Sequence, residues 1–183
     1  MRLSRFIFLA LCAGLSLSIA PLLSACKAPV TPPVSAQQTQ LPLEVFLVRH
    51  AEKTKAKSDP ALTEDGQARA QVLANMLKDA GITHIHSSDY IRTRDTAAPL
   101  AKRLGLTVEI YDPRDLPAMA ERLKLAGGRH LVVGHSNTTP QLTALLGGEA
   151  GSPIVEASEY DRLYVVNISA DGAATSVLLR FGE

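Results

Sequence analysis

The chain has 183 residues, 46% hydrophobic and 4% aromatic, with 19 basic against 18 acidic side chains. That suits one ordinary globular domain with short additions. A formal net charge of +1 gives no broad field for nucleic acid, so none is expected as a partner, and any preference for anions must come from a local cluster.

Arg2 and Arg5 precede an apolar run from Phe6 to Leu23, which ends in Leu23-Ser24-Ala25-Cys26. A basic start, an apolar stretch and small residues before a cut point describe an export signal. A cysteine directly after Leu-Ser-Ala resembles the lipobox of bacterial lipoproteins. That resemblance implies a signal peptide over residues 1–25 and a lipid-bearing Cys26 as the new N-terminus. An uncleaved membrane anchor is the other reading, weakened by Ser16, Ser18 and Pro21. Both place the domain outside the cytoplasm and at a membrane. Residues 26–42 read as the acylated cysteine and a tether, with Pro29, Pro32, Pro33 and Pro42 among Gln, Thr and Ala and no apolar period. The leader, with Lys27 after the cysteine, resembles those of Gram-negative lipoproteins and points to the cell envelope, on the periplasmic side of the outer membrane. Cys12 leaves with the signal, so no cysteine remains for a disulfide, a thiolate nucleophile or a thiolate metal site. Removing Arg2 and Arg5 takes the basic count from 19 to 17 against 18 acids.

The folded domain is expected over residues 43–183. Leu43 to Val48 is an apolar run that reads as a buried strand. Thr63 looks like the N-cap of a helix from Glu64 to Ala80, closed by Gly81, with Ala68, Val72, Leu73, Met76 and Leu77 on its apolar face. Ile82 to Ser87 is the second strand, and a helix from Ile91 to Leu104 ends at Gly105. Leu106 to Tyr111 is the third strand. Pro117 to Ala126 forms a helix with proline in its first turn, stopped by Gly127-Gly128. His130 to Gly134 is the fourth strand, followed by a helix from Thr139 to Leu146. Leu163 to Ile168 and Ala174 to Phe181 flank Asp171-Gly172, a hairpin turn. Strands alternating with helices predict an α/β fold, a three-layer α/β/α single domain around a mostly parallel sheet. Ligands of such sheets gather beyond the carboxyl ends of the strands.

Those ends carry a distinctive set. Arg49-His50-Ala51-Glu52 follows the first strand, Ser87-Ser88 through Arg92-Thr93 the second, and His135-Ser136-Asn137 the fourth. Arginine offers a planar fork of donors that matches phosphoryl oxygens in pairs. A neutral imidazole is a competent nucleophile near neutral pH and can carry a phosphoryl group covalently. A second imidazole can donate to an equatorial oxygen as charge develops. No nucleotide-binding loop of the Gly-x4-Gly-Lys type is present.

Arg-His-x-Glu at Arg49, Ser-Ser-x3-Arg-Thr-x2-Thr-Ala at Ser87 and Gly-His-Ser-Asn at Gly134, in this order, resemble the histidine phosphatase superfamily and its phosphoglycerate mutase-like fold. The similarity spans Leu43 to Leu146. It implies that His50 takes the phosphoryl group, that Arg49 and Arg92 hold it, and that His135 is the second pocket histidine. Asn137 is placed to meet substrate. Arg94 is off the family spacing. Members usually have a carboxylic acid that protonates the leaving oxygen, and that role is open here: Asp112, Asp115 and Glu52 are the candidates. The short phosphohistidine phosphatases have little need of such an acid, which keeps a phosphoramidate in play beside a phosphomonoester. No metal or organic cofactor is implied, and the partner is a phosphorylated small molecule or phosphoprotein.

Two rivals remain. A mutase needs an enclosing lid, which long insertions supply in that family and for which this domain has little room. A catalytically silent envelope lipoprotein that senses a phosphate-bearing ligand is the other. Elsewhere, His84 and His86 share one strand face before Asp89, conceivable as a metal site but read as a polar strand edge, and His130 is expected to face solvent. Lys53, Lys55 and Lys57 read as a solvated loop, and residues 159–162 have no assignable role. Specificity is expected in residues 54–60, 112–117 and 147–160, which show no readable code.

Overall fold

The computed structural model describes residues 41–182. The export signal expected over residues 1–25, the Cys26 expected to carry lipid and most of the expected tether lie outside the described residues. Among the described residues no helix is long and apolar enough to cross a membrane.

Six strands form one sheet: β1 (Leu43–Arg49), β2 (His84–Ser88), β3 (Val108–Tyr111), β4 (Gly128–Gly134), β5 (Arg162–Ile168) and β6 (Ala174–Arg180). Their spatial order is β3-β2-β4-β1-β5-β6. The β3-β2, β2-β4 and β4-β1 pairs are parallel, and β5 and β6 join antiparallel beside β1. Helices α1 (Glu64–Leu77) and α2 (Ile91–Leu104) pack on one face, where Leu73, Leu77, Ala97 and Leu100 meet Val48, Ile85 and Val133. Helices α3 (Leu116–Ala126) and α4 (Thr138–Leu145) cover the other, where Met119, Leu123 and Leu142 meet Val45, Leu47 and Val132. Alternation along β1 supplies both cores, with Val45 and Leu47 to one side and Phe46 and Val48 to the other. The result is the expected three-layer α/β/α domain.

One topological detail makes the site. The neighbouring parallel strands β1 and β4 send their chains to opposite faces, β1 toward α1 and β4 toward α4. The divergence leaves a crevice beyond their carboxyl ends. Arg49 is the register partner of Gly134, and the His50 amide donates to the Gly134 carbonyl at 2.9 Å.

The boundaries fall close to the sequence reading, and α2 matches it end to end. Helix α1 stops three residues short of Ala80. The Ala80 amide donates to Leu77 in a tightened turn, and Arg129 donates to the freed Ala80 carbonyl at 2.6 Å. Its buried face is also different. Gly66, Ala70, Leu73, Ala74 and Leu77 point inward, whereas Val72 and Met76 are exposed. The helix lies so close to the loop after β1 that a Cβ on Gly66 would stand 2.2 Å from the Glu52 carbonyl oxygen.

The histidines of β2 and β4 correct the sequence reading. His130 does not face solvent, and His86 is no exposed strand edge: they are 1% and 2% exposed. Arg122 on α3 donates to His86 Nδ1 at 2.8 Å, so that nitrogen carries no proton. His86 Nε2–H then donates to His130 Nδ1 at 2.9 Å, and His130 Nε2–H to the Gly127 carbonyl at 2.7 Å. This directed chain is complete only with both rings neutral. Among the described residues no group of His, Cys, Asp or Glu is arranged to hold a metal ion.

Burial lowers His86 to about 3, with His130 and Arg122 adding to the effect. The unfolded chain therefore binds a proton below pH 6.5 that the native state refuses, and stability drops as pH falls from 6.5 toward 3. The loss reaches roughly 1.4 kcal/mol per pH unit for this residue. Between pH 6.5 and 5 carboxylates stay ionised in both states, so the histidines dominate there. A urea midpoint measured at pH 7 and again at pH 5 is expected to fall clearly, and an unchanged midpoint would contradict the neutral chain.

Candidate active site

His50 sits just past β1, 1% exposed. Its Nδ1 lies 2.8 Å from the Ala51 carbonyl oxygen, an acceptor only, so Nδ1 carries the proton. Nε2 keeps a free lone pair. Burial lowers the ring to about 3, and the charges of Arg49 and Arg92 press the same way, while the bond to Ala51 opposes them. His50 is thus a neutral imidazole across the physiological range, with Nε2 open to act as a nucleophile.

His135 follows β4, its ring centroid 5.5 Å from that of His50 and its plane turned 74°. Its amide donates to Thr138 Oγ1 at 2.9 Å. Burial lowers it to about 4, with Arg92 and Arg49 adding and Glu156 opposing. Gly134 lets this corner close, since a Cβ there would stand 2.8 Å from Thr138 Oγ1 and 3.0 Å from both Thr139 Oγ1 and the Tyr111 hydroxyl.

The Ser-Thr frame after β2 places Arg92. Thr93 Oγ1 donates toward the carbonyls of Ser88 and Tyr90, tying the first turn of α2 to the strand end. Thr96 Oγ1 donates to Arg92 O at 2.7 Å and accepts from Ala51 N–H at 3.0 Å, linking the arginine's turn to the nucleophile's loop. Asp59 accepts from the Ile91 amide at 2.9 Å, capping α2, and lies 3.6 Å from Arg92 Nη1. The Arg92 guanidinium stands 4.4 Å from the Tyr90 ring centroid.

Arg49 is held differently. Its Nη1 donates to the carbonyls of Val155 and Glu159 and its Nη2 to that of Glu156, at 3.4, 2.9 and 2.8 Å. The Tyr160 ring covers the guanidinium at 4.1 Å. That loop is pinned in turn by Arg162, 4% exposed, which donates to both Glu159 carboxylate oxygens and to Ser152 O. Residues 159–162, unassigned from sequence, therefore build the seat of Arg49.

Four buried side-chain polar atoms among the described residues lack a hydrogen-bond partner, and three of them are here: Arg49 Nε, Arg92 Nε and His135 Nε2. The fourth, Glu44 Oε2, still faces Arg129 Nε at 2.9 Å. A buried donor left unsatisfied costs about 1–3 kcal/mol. Donors on three separate segments around one neutral imidazole are therefore suited to an anion with several acceptor oxygens. His50, Arg92, His135, Ser136, Asn137 and Glu156 line one cleft of about 310 Å³.

Of the residues proposed from sequence, His50, Arg92, His135 and Asn137 share this cleft, while the buried Arg49 does not line it and meets it through its pair with Glu156. The acid candidates lie elsewhere or are engaged. Asp112 accepts from the amide and guanidinium of Arg114, which holds its carboxyl down at about 2. Asp115 caps α3 through Ala118 N–H at 3.1 Å. Glu52 accepts from Arg69 Nε at 2.8 Å, and Arg69 continues to Phe181 O. Arg94 pairs with Asp89 outside the cleft. Sequence reasoning gave no role to Tyr90, whose ring meets that of His135 at 5.0 Å, nor to Tyr160 and Glu156, which fell only within a stretch expected to set specificity. The last two sit in an irregular loop without a local pattern to mark them.

A family model, the histidine phosphatase superfamily (branch 1), matches residues 45–116, a stretch that holds Arg49, His50 and Arg92. A probable phosphoglycerate mutase GpmB of Erwinia tasmaniensis is 42% identical over 79 residues, covering 39% of this chain and 36% of that protein. The chain thus matches about a third of that relative's length. The protein histidine phosphatase SixA, solved with tungstate, superposes with a TM-score of 0.61 at 21% identity, covering 75% of this chain and 97% of that one. A mycobacterial glucosyl-3-phosphoglycerate phosphatase gives 0.57 at 16% identity, covering 77% and 99%. These two likenesses show a shared fold.

Proposed function

We propose that this chain is a histidine phosphatase superfamily member, as the match over residues 45–116 supports, and hydrolyses a phosphomonoester or phosphoramidate through a phosphohistidine on His50. The observation that carries the reading is that three buried, unpartnered side-chain nitrogens, Arg49 Nε, Arg92 Nε and His135 Nε2, belong to residues that surround a neutral, buried His50. Nε2 attacks phosphorus in line while Arg92, His135 and Arg49 Nε donate to the equatorial oxygens, and Asn137 meets the substrate at the cleft wall. Water then attacks the phosphorylated imidazole. The developing charge is met by guanidinium and imidazole groups, so the scheme calls for no metal or organic cofactor.

Hydrolysis is favoured over phosphoryl return because the rim is open: Tyr90 is 39% exposed and the Glu156 side chain 63%. Water therefore reaches an intermediate formed at His50. The substrate proposed is a phosphorylated small molecule or a phosphoprotein. The likeness to a protein histidine phosphatase supports the second. The lipobox-like leader at Cys26 supports a lipid anchor in a bacterial envelope.

An aryl phosphate assay tests the reading. Turnover that stops with vanadate, a mimic of five-coordinate phosphorus, is expected. Inorganic phosphate raising the melting temperature without any turnover would make the domain a phosphate-sensing module instead. No effect of phosphate on either measurement would leave only an envelope scaffold.

A further inference from the structure

Resting on the hydrolase reading, we infer that Glu156 is the acid that protonates the leaving oxygen and the base that then takes a proton from water. Among the described residues it is the carboxylate that lines the cleft with His50, Arg92 and His135. Its Oε2 lies 3.0 Å from Arg49 Nη2 and accepts from the Ser136 hydroxyl, next to His135. The side chain spans from the β1 arginine to the residue after the β4 histidine, on the wall of the cleft that His50 also lines. Being 63% exposed, it sits at the solvent side, where a leaving group departs and water enters.

The backbone beneath it is held, and the carboxylate meets its two partners from the solvent side. The Glu156 carbonyl is held by Arg49 at 2.8 Å, and the Val155 amide donates to Glu159 Oε2 at 2.9 Å. A short reach from a rigid base suits a group that exchanges protons with successive partners. Asp59 comes close to Arg92, but its oxygen caps α2 through Ile91 N–H and it does not line the cleft. Asp112, Asp115 and Glu52 do not line the cleft either, and meet Arg114, the first turn of α3 and Arg69 instead. The proton donor missing from the strand-end motifs is thus supplied by the loop that seats Arg49.

The steps balance. In the first, the Nε2–P bond forms, the P–O bond to the leaving group breaks, and the Glu156 carboxyl proton passes to that oxygen, which departs as an alcohol. In the second, water oxygen bonds to phosphorus, the Nε2–P bond breaks, and the water proton returns to the Glu156 carboxylate.

The test is the dependence of kcat/KM on the leaving group, using phosphate esters that run from nitrophenyl through phenyl to alkyl. For Glu156→Gln we expect a loss of about 10²-fold or more on the alkyl ester. On nitrophenyl phosphate, whose leaving group needs no proton, the phosphorylation step should change little and appear as a burst of nitrophenol before slow turnover. Glu156→Asp keeps the proton and is expected to recover part of the alkyl activity. Equal losses on every ester, in both variants, would overturn the inference and leave Glu156 a structural partner of Arg49. Phosphate-dependent melting, run on each variant, shows that the pocket still forms; a Gln variant that fails it hands the decision to the Asp variant. If the wild-type protein turns over none of the esters, the hydrolase reading itself fails, and this is a different result from a flat leaving-group series.

Discussion

His50→Ala is expected to abolish turnover, and acid-quenched wild-type protein is expected to carry an acid-labile phosphate that the variant lacks. The size of this effect follows from the nature of the loss. A missing donor weakens transition-state binding by a few kcal/mol, but a missing nucleophile removes the covalent route itself. Nothing near His50 can replace it. The neighbouring imidazole, His135, has its ring centroid 5.5 Å away and is set to donate from the side of the pocket. Residual activity should therefore lie below detection in an aryl phosphate assay. The same variant is expected to keep its phosphate-dependent rise in melting temperature, because Arg92 Nε and His135 Nε2 remain in place to bind the anion. Loss of turnover with retention of binding separates a nucleophile from a structural residue. Full activity in His50→Ala would end the proposal.

Gly66→Ala is expected to destabilise the domain by roughly 2–3 kcal/mol, the range for overpacking a rigid contact. Helix propensity argues the opposite, since alanine inside a helix is favoured over glycine by about 1 kcal/mol. Geometry decides between them. The new Cβ would stand 2.2 Å from Glu52 O and 3.1 Å from Glu52 N, both backbone atoms. That backbone also accepts from the Thr63 amide at 2.9 Å and leads directly back to Ala51, whose carbonyl fixes the tautomer of His50. The strain therefore reaches the nucleophile, and activity should fall along with the urea midpoint. A Gly66→Ala protein more stable than wild type would show that helix and loop can separate without harm.

Much of this was legible in the sequence because it is written locally. The apolar runs of β1 and β4, the Thr63 cap and the Gly105 stop of α2 act over a few residues each. The strand-end motifs named His50, Arg92 and His135 as neighbours, because a parallel α/β sheet collects strand ends whatever the loops do. What escaped depended on distance. Small residues form the buried face of α1, so a search for large apolar side chains selected Val72 and Met76, which point outward. His86 and His130 looked polar, yet each is satisfied by a group remote in sequence, Arg122 for one and the other histidine for both. Glu156 lies in a loop whose shape comes from Arg162, and neither carries a mark of its own.

The three segments expected to set specificity are not equally free to change. Residues 54–60 and 112–117 touch the centre at its margin, so apart from Asp59, which caps α2 beside Arg92, their chemistry can drift with less consequence for the site. The segment around 152–160 cannot, because its carbonyls of Val155, Glu156 and Glu159 anchor the guanidinium of Arg49. Every substitution there is screened twice, once for the molecule admitted and once for the charge kept aligned. Divergence toward new substrates should accumulate first on the other two loops.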